Sequence, residues 1–214
     1  MAVIFAFIKL PNILGQNPNT NHSYSDFTKH KSLWMGMIGI FVYVGAEVAI
    51  GTNLINYFLS MNLDSIVPEN SIMNSIVFYW GGAMIGRLIG SYLMRIFQPG
   101  NVLAGFTIGA IVLLLITMST VGLLSMWTAL AIGLFNSVMF PTIFTLAIDG
   151  LGDFKPKAAG LLCTAIVGGA IIPPLLGAAS DVIGWKTAMI IPIFCYLYIL
   201  FYGLKGSKHS PQSN

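Results

Sequence analysis

Tyr43-Val44-Gly45-Ala46-Glu47-Val48-Ala49-Ile50-Gly51-Thr52-Asn53-Leu54-Ile55-Asn56-Tyr57 sets a carboxylate and two amides inside a run whose other residues are mostly apolar, small or aromatic. An ionisable side chain within a membrane span costs at least about 2.5 kcal/mol, and it faces a bundle interior or a water-filled path. Once this run is read as a span, Glu47 becomes a functional candidate.

The rest of the chain supports that reading. Of 214 residues, 56% are hydrophobic and 8% charged, whereas a soluble domain carries about 25% charged residues. A helix needs about 20 apolar residues to cross roughly 30 Å of hydrocarbon. Runs of that order occur at 33–60, 71–97, 102–121, 125–148, 158–179 and 186–204. The expected fold is an all-α integral membrane bundle of six spans, with no room for a separate soluble domain.

Residues 1–10 are apolar but too short to span. They lack a basic n-region and a small-x-small cleavage pattern, so they read as the end of a preceding element rather than a signal peptide. Residues 11–31, rich in Asn, Ser, Pro and Lys, read as a polar loop, and 205–214 as a disordered polar tail.

Positive charge gives the orientation. Lys9, Lys29 and Lys31 precede the first span, Arg95 ends the second, Lys155 and Lys157 follow the fourth, and Lys205 and Lys208 follow the sixth. All of these fall on one side, the opposite loops hold only Lys186, and the positive-inside rule puts both termini in the cytoplasm. The net charge of +3 is spread along these loops, so no nucleic-acid surface is expected. Cys163 and Cys195 lie in apolar runs and read as packing residues.

An internal repeat constrains the bundle further. Gly81-Gly82-Ala83-Met84-Ile85-Gly86-Arg87-Leu88-Ile89-Gly90 matches Gly168-Gly169-Ala170-Ile171-Ile172-Pro173-Pro174-Leu175-Leu176-Gly177 at an offset of 87 residues with six identities in ten. The second span runs inward and the fifth outward, so the matched segments are the middle helices of two inverted three-helix repeats. The glycines read as sites of close helix approach. Pro141, Pro173, Pro174 and Pro192 lie inside helical runs and predict kinks.

On a helical wheel Asn53, Tyr57, Tyr43 and Glu47 fall at successive steps of about 40°, with Asn56 about 60° beyond Asn53. Such a stripe reads as a cavity wall. Its amides, phenols and carboxylate are the groups that a polyhydroxylated ligand such as a sugar requires. The other use of the asparagines is hydrogen bonding between helices.

Arg87 stands eight residues, about 12 Å, before Arg95, which puts it near the middle of its span. It is expected as a buried charge partner of Glu47, with snorkelling as the alternative. Asn136 is the ligand candidate of the fourth span, whereas Ser137, Thr142 and Thr145 are expected to bond their own helix. Trp34, Trp127 and Trp185 read as interfacial anchors and Trp80 as a cavity residue. Ser-His-Asp, Cys-His, HExxH and phosphate-loop patterns are absent, and His22, His30 and His209 lie in polar segments. Neither an enzyme nor a metal or cofactor site is expected.

VGAEVAIGTNLINY, FNSVMFPTIFTLAIDGLG and GGAIIPPLLGAASDVIG together resemble the C-terminal half of the fucose permease and glucose/galactose transporter family, sugar–proton symporters of the major facilitator superfamily. GSYLMRIFQPGNVL is similar to a weakened form of the superfamily's loop motif, with Arg95 at a basic position. The resemblance implies twelve helices in two six-helix halves, with the sugar bound between halves and exposed alternately to each side of the cell inner membrane. Residues 1–10 would then end helix 6, residues 11–32 would belong to the central cytoplasmic loop, and the six runs would be helices 7 to 12. Glu47, Asn53 and Asn136 would line the sugar cavity, and the proton-coupling carboxylates would belong to a complementary N-terminal half. Two readings stay open here: half of a hexose–proton symporter for a sugar such as glucose, galactose or fucose, or a truncated, transport-inactive membrane fragment with at most an assembly role.

Overall fold

The computed structural model describes residues 31–61 and 68–206. The expected helix end and loop before residue 31, and the tail from 207 onward, lie outside the described residues. Among the described residues the regular structure is helical. The helices are α1 Lys31–Ser60, α2 Glu69–Ile96, α3 Pro99–Ser119, α4 Gly122–Asn136, α5 Met139–Ile148, α6 Lys155–Thr164, α7 Gly168–Ile183, α8 Trp185–Ala188 and α9 Ile190–Leu204. In sequence they form six segments long and apolar enough to cross a membrane, because α4 with α5, α6 with α7 and α8 with α9 each make one broken span.

Local chemistry explains the ends and the breaks. Pro99 opens α3, where its missing N–H would have had no helical partner. Gly184 closes α7 at φ 78°, a left-handed conformation that favours glycine, and α8 begins at the next residue. Pro141 has no N–H for the carbonyl of Ser137, and the fourth span breaks between Asn136 and Met139. Likewise Pro192 has none for Ala188, and the sixth span breaks at Met189. The fifth span tightens into a 3₁₀ turn at Ala165–Val167, just before the Pro173-Pro174 pair. In a membrane the carbonyls freed in this way must find partners in neighbouring helices or water.

The packing carries the repeat. α1 lies against α7 of the fifth span and α9 of the sixth, while α4 lies against α2 of the second and α3 of the third. Exchanging spans one, two and three with four, five and six turns the first set of neighbours into the second. The aligned glycines do matching work: Gly82 faces Leu134 of α4, and Gly169 faces Val44 and Val48 of α1. At Gly86 a Cβ would run into the Leu134 carbonyl, and at Gly168 into the Phe41 carbonyl. Helices approach so closely because lipid tails offer no hydrophobic drive for association, leaving dispersion contact and hydrogen bonds to hold the bundle.

The core clusters around α1, with Ile40, Tyr43, Ala46, Ile50, Leu54, Tyr57 and Phe58 buried against the surrounding helices. The second and fifth spans are the least enclosed. Only 28% of the most apolar window of each is buried within the bundle, against 44–56% for the other four. The two spans related by the repeat thus present the largest uncovered faces.

Candidate functional site

Glu47 sits near the middle of α1 and is half-buried. Its side chain lines a cleft of about 220 Å³ together with Trp80, Ala83, Met84 and Arg87 of α2. The spacing of these α2 residues, one turn apart, follows from helical periodicity. Arg87 and Glu47 both line this cleft, one from each helix. Trp80 is half exposed there, its indole set edge-on to Tyr79. Arg87 also borders a second cleft of about 420 Å³, lined by Ser91, Met94, Val138, Phe140 and Pro141. The broken fourth span therefore adjoins the cation that faces Glu47.

Arg87 is exposed on the bundle surface rather than buried as the sequence reading expected. The physical reason is that α2 covers little of itself with its own bundle, so the face carrying Trp80, Met84 and Arg87 stays open.

The other members of the stripe divide. Asn53 is half-buried, and its Nδ2 donates to the Ala49 carbonyl of its own helix at 2.8 Å, leaving its Oδ1 for other partners. Asn56 is exposed one turn from the end of α1. Tyr57 lies inside the bundle at 1% exposure. Its hydroxyl meets Ser125 Oγ at 2.6 Å, and Ser125 Oγ donates to the Thr117 carbonyl at 2.8 Å. The expected cavity-wall role does not fit that position: the apposition of α3 and α4 covers the phenol and takes up its polar atom.

Asn136 departs from expectation in the same way. It is fully buried, and both ends of its amide are engaged. Nδ2 donates to the Tyr79 hydroxyl at 2.9 Å, and the Tyr196 hydroxyl donates to Oδ1 at 2.8 Å. Its main-chain carbonyl, at the break of the fourth span, accepts from the Tyr43 hydroxyl at 2.9 Å. Tyr79 in turn donates to the main-chain carbonyl of Glu47 at 3.3 Å. One asparagine thereby ties α1, α2, α4 and α9 together directly behind the Glu47 cleft. The sequence reading missed Tyr79 and Tyr196, because a tyrosine within an apolar run reads as bulk and nothing local reveals what its hydroxyl meets.

Ser137, Thr142 and Thr145 bond carbonyls of their own span, as expected for hydroxyls in membrane helices. Among the described residues no group of three or more His, Cys, Asp and Glu is placed to hold a metal ion.

A six-span bundle of two inverted repeats, with a charged cleft at the middle of its first helix, is half of a major facilitator fold. The comparisons with known proteins agree. The chain is 48% identical over 209 residues to a glucose/galactose transporter of Brucella abortus, covering 97% of this chain and 50% of that protein. It is 27% identical over 211 residues to the L-fucose-proton symporter of Escherichia coli, covering 94% and 47%. A crystal structure of the E. coli fucose:proton symporter FucP, in a single-residue variant, superposes with a TM-score of 0.81 at 26% identity, over 94% of this chain and 50% of FucP. A FucP structure in the outward conformation gives the same values. No protein-family model matches the chain. The chain is homologous to the glucose/galactose transporter and L-fucose–proton symporter family of the major facilitator superfamily, and it matches the C-terminal half. It spans about half the length of the curated relatives it matches.

Proposed function

We propose that this chain is the C-terminal half of a hexose–proton symporter that works by alternating access in the cell inner membrane, with both termini in the cytoplasm. The observation that carries the proposal is the Glu47 cleft. A carboxylate, a guanidinium and a half-exposed indole converge there, in a chain whose relatives are named for transport of glucose, galactose and fucose. A sugar hydroxyl donates to a carboxylate and accepts from a guanidinium, while the C–H face of the ring stacks on an indole. In this role Glu47 and Asn53 are direct ligands, Asn56 contacts sugar toward the end of α1, and Arg87 balances the charge of Glu47. Trp80 supplies the apolar platform.

The partner is a complementary six-helix half that would cover the open faces of the second and fifth spans and contribute the proton-coupling carboxylates. Two features support it: the poor enclosure of those two spans, and the length of the relatives. The positive charge of Lys155, Lys157, Arg95 and Lys205 on one side supports the orientation.

The test is sugar counterflow in proteoliposomes with a panel of glucose, galactose, fucose and mannose, using the chain alone and the chain produced with an N-terminal half. Saturable, sugar-selective counterflow in the paired preparation is expected. Counterflow by the chain alone would overturn the need for a complement. Counterflow in neither preparation, with the bundle intact, would favour a transport-inactive membrane chain with an assembly role.

A further inference from the structure

The buried polar groups behind the cleft are more than bundle glue. We propose that Tyr79 and Asn136 are positioning residues for Glu47, fixing its height and rotation in the cleft through its main-chain carbonyl. This inference rests on the reading of Glu47 as a ligand.

Three observations carry it. First, the Tyr79 hydroxyl donates to the carbonyl of Glu47 itself, across from α2 to α1. Second, that hydroxyl is held in turn by Asn136 Nδ2, whose other end is fixed by Tyr196 of α9. The phenol is fully buried within the bundle. Third, Trp80 and Arg87, which share the cleft with Glu47, lie on the same helix as Tyr79. The Tyr79 bond therefore sets the register between the two walls of the cleft. The hub also meets the break in the fourth span, because Tyr43, one turn before Glu47, donates to the carbonyl of Asn136, the last residue before the break. A change in the geometry of the break would reach Glu47 through these two tyrosines.

The contact is with the main chain, so it survives replacement of the Glu47 side chain, and a thiol at that position reports on it. The experiment uses the full chain with Cys163→Ser and Cys195→Ala, carrying Glu47→Cys, reconstituted in vesicles and labelled by a small membrane-impermeant methanethiosulfonate. Tyr79→Phe should change the labelling rate at position 47 by about threefold or more, the equilibrium factor that one interhelical hydrogen bond in a membrane is worth. Asn136→Ala should act in the same direction. Tyr57→Phe, which removes a hydroxyl from the same helix outside the hub, should leave the rate within about twofold. Equal rates with and without Tyr79→Phe would overturn the proposal, as would an equal change from Tyr57→Phe. If Asn136→Ala fails to fold, the Tyr79→Phe comparison alone decides.

In a transporting preparation, Tyr79→Phe should raise the sugar KM by about threefold, with less effect on the maximal rate. Failed counterflow together with a positive labelling result would remove the sugar reading and leave the positioning role standing.

Discussion

Removing the amide of Asn136 should weaken the bundle by about 2 to 4 kcal/mol, a figure built from the bonds it makes and the typical worth of each. Asn136→Ala deletes the bond to Tyr79 at 2.9 Å and the bond from Tyr196 at 2.8 Å. Interhelical hydrogen bonds in membranes average about 0.6 kcal/mol each, so their loss contributes about 1.2 kcal/mol. The two tyrosines fare differently. Tyr79 keeps the Glu47 carbonyl as an acceptor, whereas the fully buried Tyr196 hydroxyl is left without the acceptor it now uses. An orphaned buried hydroxyl costs about 1 to 3 kcal/mol, which makes up the remainder. A Phe at position 196 has no hydroxyl to orphan, so Asn136→Ala should cost at least about 1 kcal/mol less in a Tyr196→Phe background than in the native chain. The assay is a reversible unfolding titration with a denaturing detergent in mixed micelles, run on the two single variants and the double. Additivity within about 0.3 kcal/mol would refute the coupling, and a cost for Asn136→Ala below about 0.5 kcal/mol would refute the hub itself.

The remaining predictions concern packing and polarity elsewhere in the bundle. Gly86→Val should destabilise by about 1 to 3 kcal/mol, because the new side chain meets the Leu134 carbonyl and Ser137 Oγ. Gly105→Ala, where nothing lies within 4 Å of a Cβ, should stay within about 0.5 kcal/mol of the native chain in the same titration. The Tyr202 hydroxyl is buried with no hydrogen-bond partner among the described residues, so Tyr202→Phe should be neutral or stabilising by up to about 1 kcal/mol. Tyr57→Phe, which deletes the contact with Ser125, should destabilise by about 0.6 to 1.7 kcal/mol.

Six spans were readable because a bilayer demands length and apolarity from each segment separately, a local property that the sequence displays. The repeat was readable because close helix approach selects glycine at fixed spacing, and Gly82 and Gly169 do face the helices that the symmetry requires. The proline kinks announced themselves, and two of the breaks fall near the carbonyl four residues before Pro141 and Pro192. The candidate site was only half legible. Glu47 signalled itself by its charge, and in the structure it lines a cleft. Asn136 and Tyr57 carry the same chemistry as a ligand-binding wall, yet they spend it inside the bundle. A membrane amide faces the same two options, partner helix or cavity, and the choice depends on which helix packs opposite. Tyr79 and Tyr196 acquire their roles only when α2, α4 and α9 converge on α1. No single segment contains that information.

The central claim is the sugar-ligand role of Glu47. The direct test is sugar binding and proton-coupled uptake by the paired preparation carrying Glu47→Gln, a change that keeps the size of the side chain and removes its charge. Sugar affinity should fall by about tenfold or more, in line with about 1.5 kcal/mol or more for a charged hydrogen bond, while the unfolding titration stays close to that of the native chain. Unchanged affinity and unchanged coupling would contradict the claim.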